Sequence, residues 1–173
     1  MNLQTHNVVL LVGGARSGKS RLAQTRAEAL PGKLVYLATG QPSDAEMTER
    51  IARHQLDRGP RWRTVEAPID LPDTITRESD GDSVLLVDCL TLWLSNLMLG
   101  DHDISAATAH LLRALAEQTG TVLLVSNEVG MGIVPDNPLA RRFRDAAGRL
   151  NQQVAAVADE VLLVAAGLAV RMK

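Results

Sequence analysis

Residues 13–20 read Gly-Gly-Ala-Arg-Ser-Gly-Lys-Ser and follow directly on the apolar run Val8-Val9-Leu10-Leu11-Val12. A short run with no polar side suits a strand buried on both faces, at the centre of a sheet. The glycines Gly13, Gly14 and Gly18 let the backbone turn sharply enough to aim several N–H groups at one anion. A helix opening where the turn ends adds its positive N-terminal end to the same place. In the spacing G-x-x-x-x-G-K-S the lysine, here Lys19, reaches the outer phosphates of a nucleotide, and the hydroxyl of Ser20 holds a magnesium ion. The chain is thereby held to folds that carry strand, glycine turn and helix in that order. The pattern specifies a nucleotide phosphate and leaves the reaction open.

Beyond the turn, apolar runs alternate with helical ones. Helix is predicted over Gly18–Leu30, Asp44 to about Leu56, Asp70–Arg77, Leu90–Leu99, from a Ser105 cap to about Gln118, and over Pro138–Ala158. Strands are predicted at Leu34–Ala38, Arg63–Ala67, Val84–Val87, Thr121–Val125, Val161–Ala165 and Leu168–Met172. Such alternation makes an α/β fold, a mostly parallel sheet flanked by helices. The last two strands are separated only by a tight turn at Gly167, so they form an antiparallel edge hairpin. Residues 128–138, rich in Gly and Pro, read as irregular structure of either functional or merely connecting kind.

Nothing divides the 173 residues, and they are read as a single nucleotide-binding domain over 1–173. Aromatics make up 2%, so Leu, Val, Ala and Ile must fill the core. Twenty acidic against 18 basic residues give a net charge of −2, without the basic excess of a nucleic-acid binder. A lone cysteine, Cys89, leaves no internal disulfide and no multi-cysteine zinc site. With no leader pattern and no apolar stretch near the roughly 20 residues of a membrane span, a cytoplasmic protein is expected.

Several side chains could carry chemistry. Asp88 ends the Val84–Val87 strand, and ligands of open parallel sheets bind beyond the carboxyl ends of the strands. If that strand neighbours Val8–Val12, Asp88 lies beside the turn and can hold magnesium; otherwise it caps the next helix. Cys89 next to it reads as a small buried hydrophobe. His54 falls near the inward face of its predicted helix, with Arg50 one turn before it and Arg58 just beyond. It serves packing, or it is a nucleophile toward phosphorus, kept neutral by the arginines. His6, His102 and His110 read as surface residues. Glu128, after the Thr121–Ser126 run, is a substrate or metal contact or a solvated loop acid. Glu66 closes a strand, where acids often bond sugar hydroxyls. Arg141, Arg142, Arg144 and Arg149 share one long helix, with Arg142 and Arg149 on one face. That stripe is a solvated face, a seat for a phosphate-bearing substrate, or a subunit contact.

Taken together, Gly13–Ser20, Arg50-Ile-Ala-Arg-His54, Trp62-Arg-Thr with Glu66, Asn127-Glu-Val-Gly-Met-Gly-Ile-Val-Pro135 and the helix Leu139–Gln152 resemble one family. It is the bifunctional adenosylcobinamide kinase / adenosylcobinamide-phosphate guanylyltransferase family of cobalamin biosynthesis. The resemblance runs over nearly the whole length. It implies a RecA-like phosphate-loop fold, usually assembled as a trimer. It implies phosphorylation of adenosylcobinamide by ATP or GTP, then transfer of GMP from GTP to adenosylcobinamide phosphate through a guanylylated histidine, with Mg2+ as cofactor. The matching histidine is His54, and His54 with Lys19 would be catalytic. Nucleotide-binding positions carry over to Gly13, Gly14, Ala15, Arg16, Ser17, Gly18, Lys19, Ser20, Thr39, Gly40, Gln41, Gln55, Leu56, Asp57, Arg58, Glu66 and Asp88, with Ser20 and Asp88 on the metal. Two other readings share the turn: a RecA-type switch or motor, which has no use for His54, and a cobinamide kinase without the transferase half.

Overall fold

The computed structural model describes residues 7–41 and 59–173. The helix expected over Asp44 to Leu56, and with it Arg50, His54, Gln55, Leu56, Asp57 and Arg58, lies outside the described residues. In chain order the elements are β1 (Asn7–Gly13), α1 (Lys19–Glu28), β2 (Lys33–Ala38), β3 (Trp62–Glu66), α2 (Leu71–Glu78), β4 (Ser83–Asp88) and α3 (Leu90–Leu99). Then follow α4 (Ile104–Glu117), β5 (Thr121–Asn127), α5 (Pro138–Val157), β6 (Glu160–Ala165) and β7 (Leu168–Arg171).

The strands form one seven-stranded sheet in the order β3-β2-β4-β5-β1-β6-β7. Every pairing is parallel except β6 with β7, the expected antiparallel edge. Alternate residues of the central strands feed two cores, because successive side chains point to opposite faces. On one face Leu10, Leu37, Leu85, Val87 and Leu124 meet Leu71 and Ile75 of α2, Leu90, Trp93 and Leu94 of α3, Leu111 of α4 and Leu150 and Val154 of α5. On the other, Leu11, Tyr36, Leu86, Leu123 and Val164 meet Ala23 and Ala27 of α1. Trp93 is fully buried, and its indole N–H donates to the carbonyl of Ile69 at 2.8 Å, so the largest core side chain leaves no donor unpaired.

The edges are handled differently. β3 is polar outward, and Arg63 there forms an ion pair with Glu78 of α2, whose hydrogen bond holds the Glu78 carboxyl below the usual range. β7 leaves Leu168 and Val170 exposed.

One expectation is corrected and one open condition is decided. The cap of α4 is Asp103 rather than Ser105: its carboxylate accepts from Ala106 N at 3.0 Å. Both residues cap well by type, and the helix starts a turn's fraction earlier because half-buried Ile104 packs against the core as its first residue. The strand ending in Asp88 is not the neighbour of β1. β5 lies between them, with Gly13 opposite Asn127 and Asp88 opposite Val125. No helix among the described residues is long and apolar enough to cross a membrane.

Candidate nucleotide site at the carboxyl edge of the sheet

The turn after β1 is shaped by what Gly13 and Gly18 permit. A Cβ at Gly13 would fall 2.3 Å from the carbonyl oxygen of Val164 on β6 and 2.7 Å from Ser17 Oγ. Gly18, at φ +94°, occupies left-handed space and opens α1, as the N–H of Leu22 donates to its carbonyl at 3.0 Å. Ser17 N–H donates to Gly14 O at 3.3 Å, and Gly167 N–H from the β6–β7 turn donates to Ser17 O at 2.8 Å. The edge hairpin therefore buttresses the turn from outside. Arg16 also takes a positive φ, 57°, at the exposed crest. Gly14, Ala15 and Arg16 are exposed, so the mouth faces solvent.

Lys19 is buried, and its ammonium donates to Gly14 O at 2.9 Å, across the turn it belongs to. That contact holds a cation at the turn before any phosphate arrives. Ser20 follows, half-buried, in the first turn of α1. Ser17 Oγ is buried with no hydrogen-bond partner in the structure. A hydroxyl so placed inside an anion-shaped turn is available to a ligand oxygen.

We expect Gly13→Ala to lower stability by about 1–3 kcal/mol, because the new methyl must push β6 or Ser17 aside. For a chain of this size that is a fall of roughly 2–12 °C in melting temperature. Calorimetry checks it, and an unchanged midpoint would contradict the close approach of β1 and β6.

The other expected positions line the same edge. The register sets Glu66 opposite Ala38 and Ala38 opposite Asp88. Glu66 is exposed and Asp88 half-buried. The intervening strand puts Asp88 two strand spacings from β1, about 10 Å, a gap that a triphosphate or a cation with its ligands can span. The Asp88 carboxylate forms no ion pair with another described residue, which suits it to a cation. A hydroxyl and a carboxylate are the hard oxygen donors magnesium takes, with phosphate oxygens and water completing its shell. Among the described residues there is no group of three or more His, Cys, Asp and Glu that could hold a metal unaided. The residues present therefore fit a cation that arrives with a nucleotide.

Thr39, Gly40 and Gln41 follow β2. The Thr39 hydroxyl is fully buried, donating to Cys89 O and accepting from Cys89 N, both at 2.7 Å. It is engaged by the backbone beyond Asp88, while half-buried Gly40 and exposed Gln41 face outward. Burial first, and the Asp88 charge second, push the Cys89 thiol up to about 11, so it remains a packed thiol. His102 is exposed, as expected, whereas His110 is only half-exposed and lies 3.3 Å from Asp73.

Three residues not singled out by the sequence hold this edge together. Asn96 of α3 donates from its amide to Thr39 O at 2.8 Å and Pro68 O at 3.0 Å, joining the segments after β2 and β3. Thr91 Oγ1 accepts from Asn127 N at 2.7 Å. Asn151 of α5 accepts from Ser126 Oγ at 2.6 Å and donates to Asn127 O at 3.2 Å. The one available signal was an amide, Asn96, within the mostly apolar helix Leu90–Leu99. Glu128 N–H donates to Gly13 O at 3.0 Å, tying the next loop to the phosphate turn. The Glu128 carboxylate accepts from Gly130 N–H, within its own loop.

The family described as cobinamide kinase / cobinamide phosphate guanyltransferase matches residues 9–172. The chain is 45% identical over 166 residues to the bifunctional adenosylcobalamin biosynthesis protein CobP of Pseudomonas aeruginosa, covering 95% of this chain and 96% of that one. It is 44% identical over 184 residues to the bifunctional adenosylcobalamin biosynthesis protein CobU of Escherichia coli, covering 96% and 99%. Among solved structures, a type III secretion system ATPase superposes with a TM-score of 0.59 at 11% identity, over 95% of this chain and 56% of that one. A Pyrococcus horikoshii protein superposes at 0.58 and 8% identity, over 96% and 86%. At such identities these likenesses establish the RecA-like fold and nothing further.

Proposed function

The chain belongs to the cobinamide kinase / cobinamide phosphate guanyltransferase family of enzymes, and from that premise we propose that it catalyses both reactions at the carboxyl edge described above. In the first, the hydroxyl of the aminopropanol arm of adenosylcobinamide attacks the γ-phosphorus of ATP or GTP. The new P–O bond forms as the bond to the bridging oxygen breaks and the nucleoside diphosphate leaves with that electron pair, and the hydroxyl proton passes to solvent water. In the second, an imidazole nitrogen of His54 bonds to the α-phosphorus of GTP while the bond to the bridging oxygen breaks, and pyrophosphate departs with that electron pair. A phosphate oxygen of the corrinoid then bonds to the same phosphorus. The N–P bond breaks, its pair returns to the imidazole, and adenosylcobinamide-GDP forms. Two displacements avoid one direct collision of two polyanions.

The observation that carries this reading is the turn itself: Lys19 held on Gly14 O at 2.9 Å inside a cradle that only glycine at position 13 can close. Backbone N–H groups of Gly13 to Ser20, the N-terminal end of α1 and Lys19 bind the triphosphate. Ser20 and Asp88 would hold Mg2+, which when bound offsets phosphate charge. Thr39, Gly40, Gln41 and Glu66 form the side of the site away from β1, with Gln55, Leu56, Asp57 and Arg58 as the remaining nucleotide contacts. The trimer expected from the resemblance belongs to the same reading, as does a cytoplasmic location where GTP and ATP are supplied.

Incubation with GTP labelled at the α-phosphorus tests it. We expect an acid-labile adduct that maps to His54 and is discharged by adenosylcobinamide phosphate. Phosphorylation of the corrinoid without any adduct would favour a kinase that lacks the transferase half. Triphosphate hydrolysis with neither would favour a switch or motor.

A further inference from the structure

The loop between β5 and α5 leaves the phosphate turn with an apolar tip. Met131 is 80% exposed, Ile133 97% and Val134 62%. Its base is fixed rather than loose. Glu128 N–H holds Gly13 O, Arg141 Nη1 donates to Pro135 O and Asp136 O at 2.7 Å each, and Asn137 Oδ1 caps α5 through Leu139 N. A cluster of large apolar side chains held out in water marks a surface that meets something.

Behind the tip, Gly130 and the α5 residues Arg144, Asp145, Gly148, Arg149 and Gln152 line an open groove of about 330 Å³. Gly148 leaves room there, since a Cβ added to it meets nothing within 4 Å. Arg144 spends its Nε and Nη2 donors on Asp145 Oδ1 at 3.1 and 3.0 Å. Arg149 is exposed and makes no ion pair with another described residue. Two guanidinium groups against one carboxylate leave the groove one positive charge. Asn151, two residues on, bonds Ser126 and Asn127 at the end of β5, and Asn127 stands opposite Gly13. This stretch of α5 is therefore level with the phosphate turn, within about a helix diameter, 10–12 Å, of it.

A nucleotide offers no broad apolar face for the tip, and an unmodified peptide offers no dianion for Arg149. A corrinoid phosphate offers both, together with peripheral amides for the Gln152 side chain. We propose that this groove, with Met131, Ile133 and Val134 as its rim, is the seat of the phosphorylated corrinoid acceptor. Arg149 binds its phosphate and the loop tip covers the macrocycle. The assignment rests on the transfer reading above for the identity of the acceptor.

The test is equilibrium dialysis of adenosylcobinamide phosphate against the full chain, followed by corrin absorbance, alongside labelling by α-labelled GTP in the same preparations. Arg149→Glu should weaken acceptor binding at least tenfold, Arg149→Lys should recover most of it, and Ile133→Ser should weaken it several-fold. An unchanged dissociation constant in Arg149→Glu overturns the groove. So does a variant that binds acceptor normally but falls to a smaller species in sedimentation, which would make this face a contact with a second copy of the chain. Equal losses in Arg149→Glu and Arg149→Lys, with melting temperature lowered in both, also overturn it, as damage to α5. Absence of label in the unaltered protein would sink the transfer reading instead, while the dialysis still judges the groove.

Discussion

His54→Ala will remove covalent labelling by α-labelled GTP altogether while corrinoid phosphorylation persists at a measurable rate. The reasoning is chemical. Without the imidazole the α-phosphorus has no first acceptor, since the amine of Lys19 is held as a donor on Gly14 O and serves the outer phosphates. The thiol of Cys89 is buried and protonated up to about 11, so it cannot substitute. The kinase step needs the cradle and not the imidazole, so the two activities separate in this variant. Denaturing electrophoresis after incubation reads the first and corrinoid phosphate formation the second. Label retained at the original level would move the nucleophile elsewhere, with His102 and His110 the described histidines to examine.

Lys19→Ala will slow both reactions by roughly 10²–10³, the usual loss when one preorganised donor to a developing phosphate charge is removed. The size of the effect follows from preorganisation: the ammonium already sits at the turn on Gly14 O, so little rearrangement stands between it and a phosphate. The fold should survive, because Gly14 is exposed and water can take the lysine's place on its carbonyl. Phosphorylation and adduct formation measured on one preparation check the prediction. A fall in only one of them would mean two separate triphosphate sites on the chain. No change in either would remove the turn from the mechanism.

The phosphate turn was legible because everything that shapes it is contiguous. Val8–Val12 is apolar on both faces, Gly18 supplies the left-handed residue before α1, and Lys19 reaches back only five positions to Gly14. The edge hairpin was legible for the same reason, since only Ala166 and Gly167 separate β6 from β7. The helix over Ile104–Glu117 was recognised but given the wrong cap, because Asp103 and Ser105 are chemically near-equivalent and the choice depended on where Ile104 meets the core. The relation of Asp88 to the turn could not be read at all. It hinges on β5, thirty-odd positions later in the chain, inserting between β4 and β1.

From its residues in order, then, this chain carries the glycine turn proposed to cradle an anion, the alternation that makes a parallel sheet and His54, the histidine proposed as nucleophile. These depend on backbone freedom and short-range pattern, which neighbouring residues set among themselves. Folding added the strand order, the buttress that Gly167 lends to Ser17, and the Asn96 amide bridging Thr39 and Pro68 across 57 and 28 positions. Long-range hydrogen bonds of this kind satisfy polar groups that burial has brought together, and burial is a property of the whole packed sheet rather than of any segment within it.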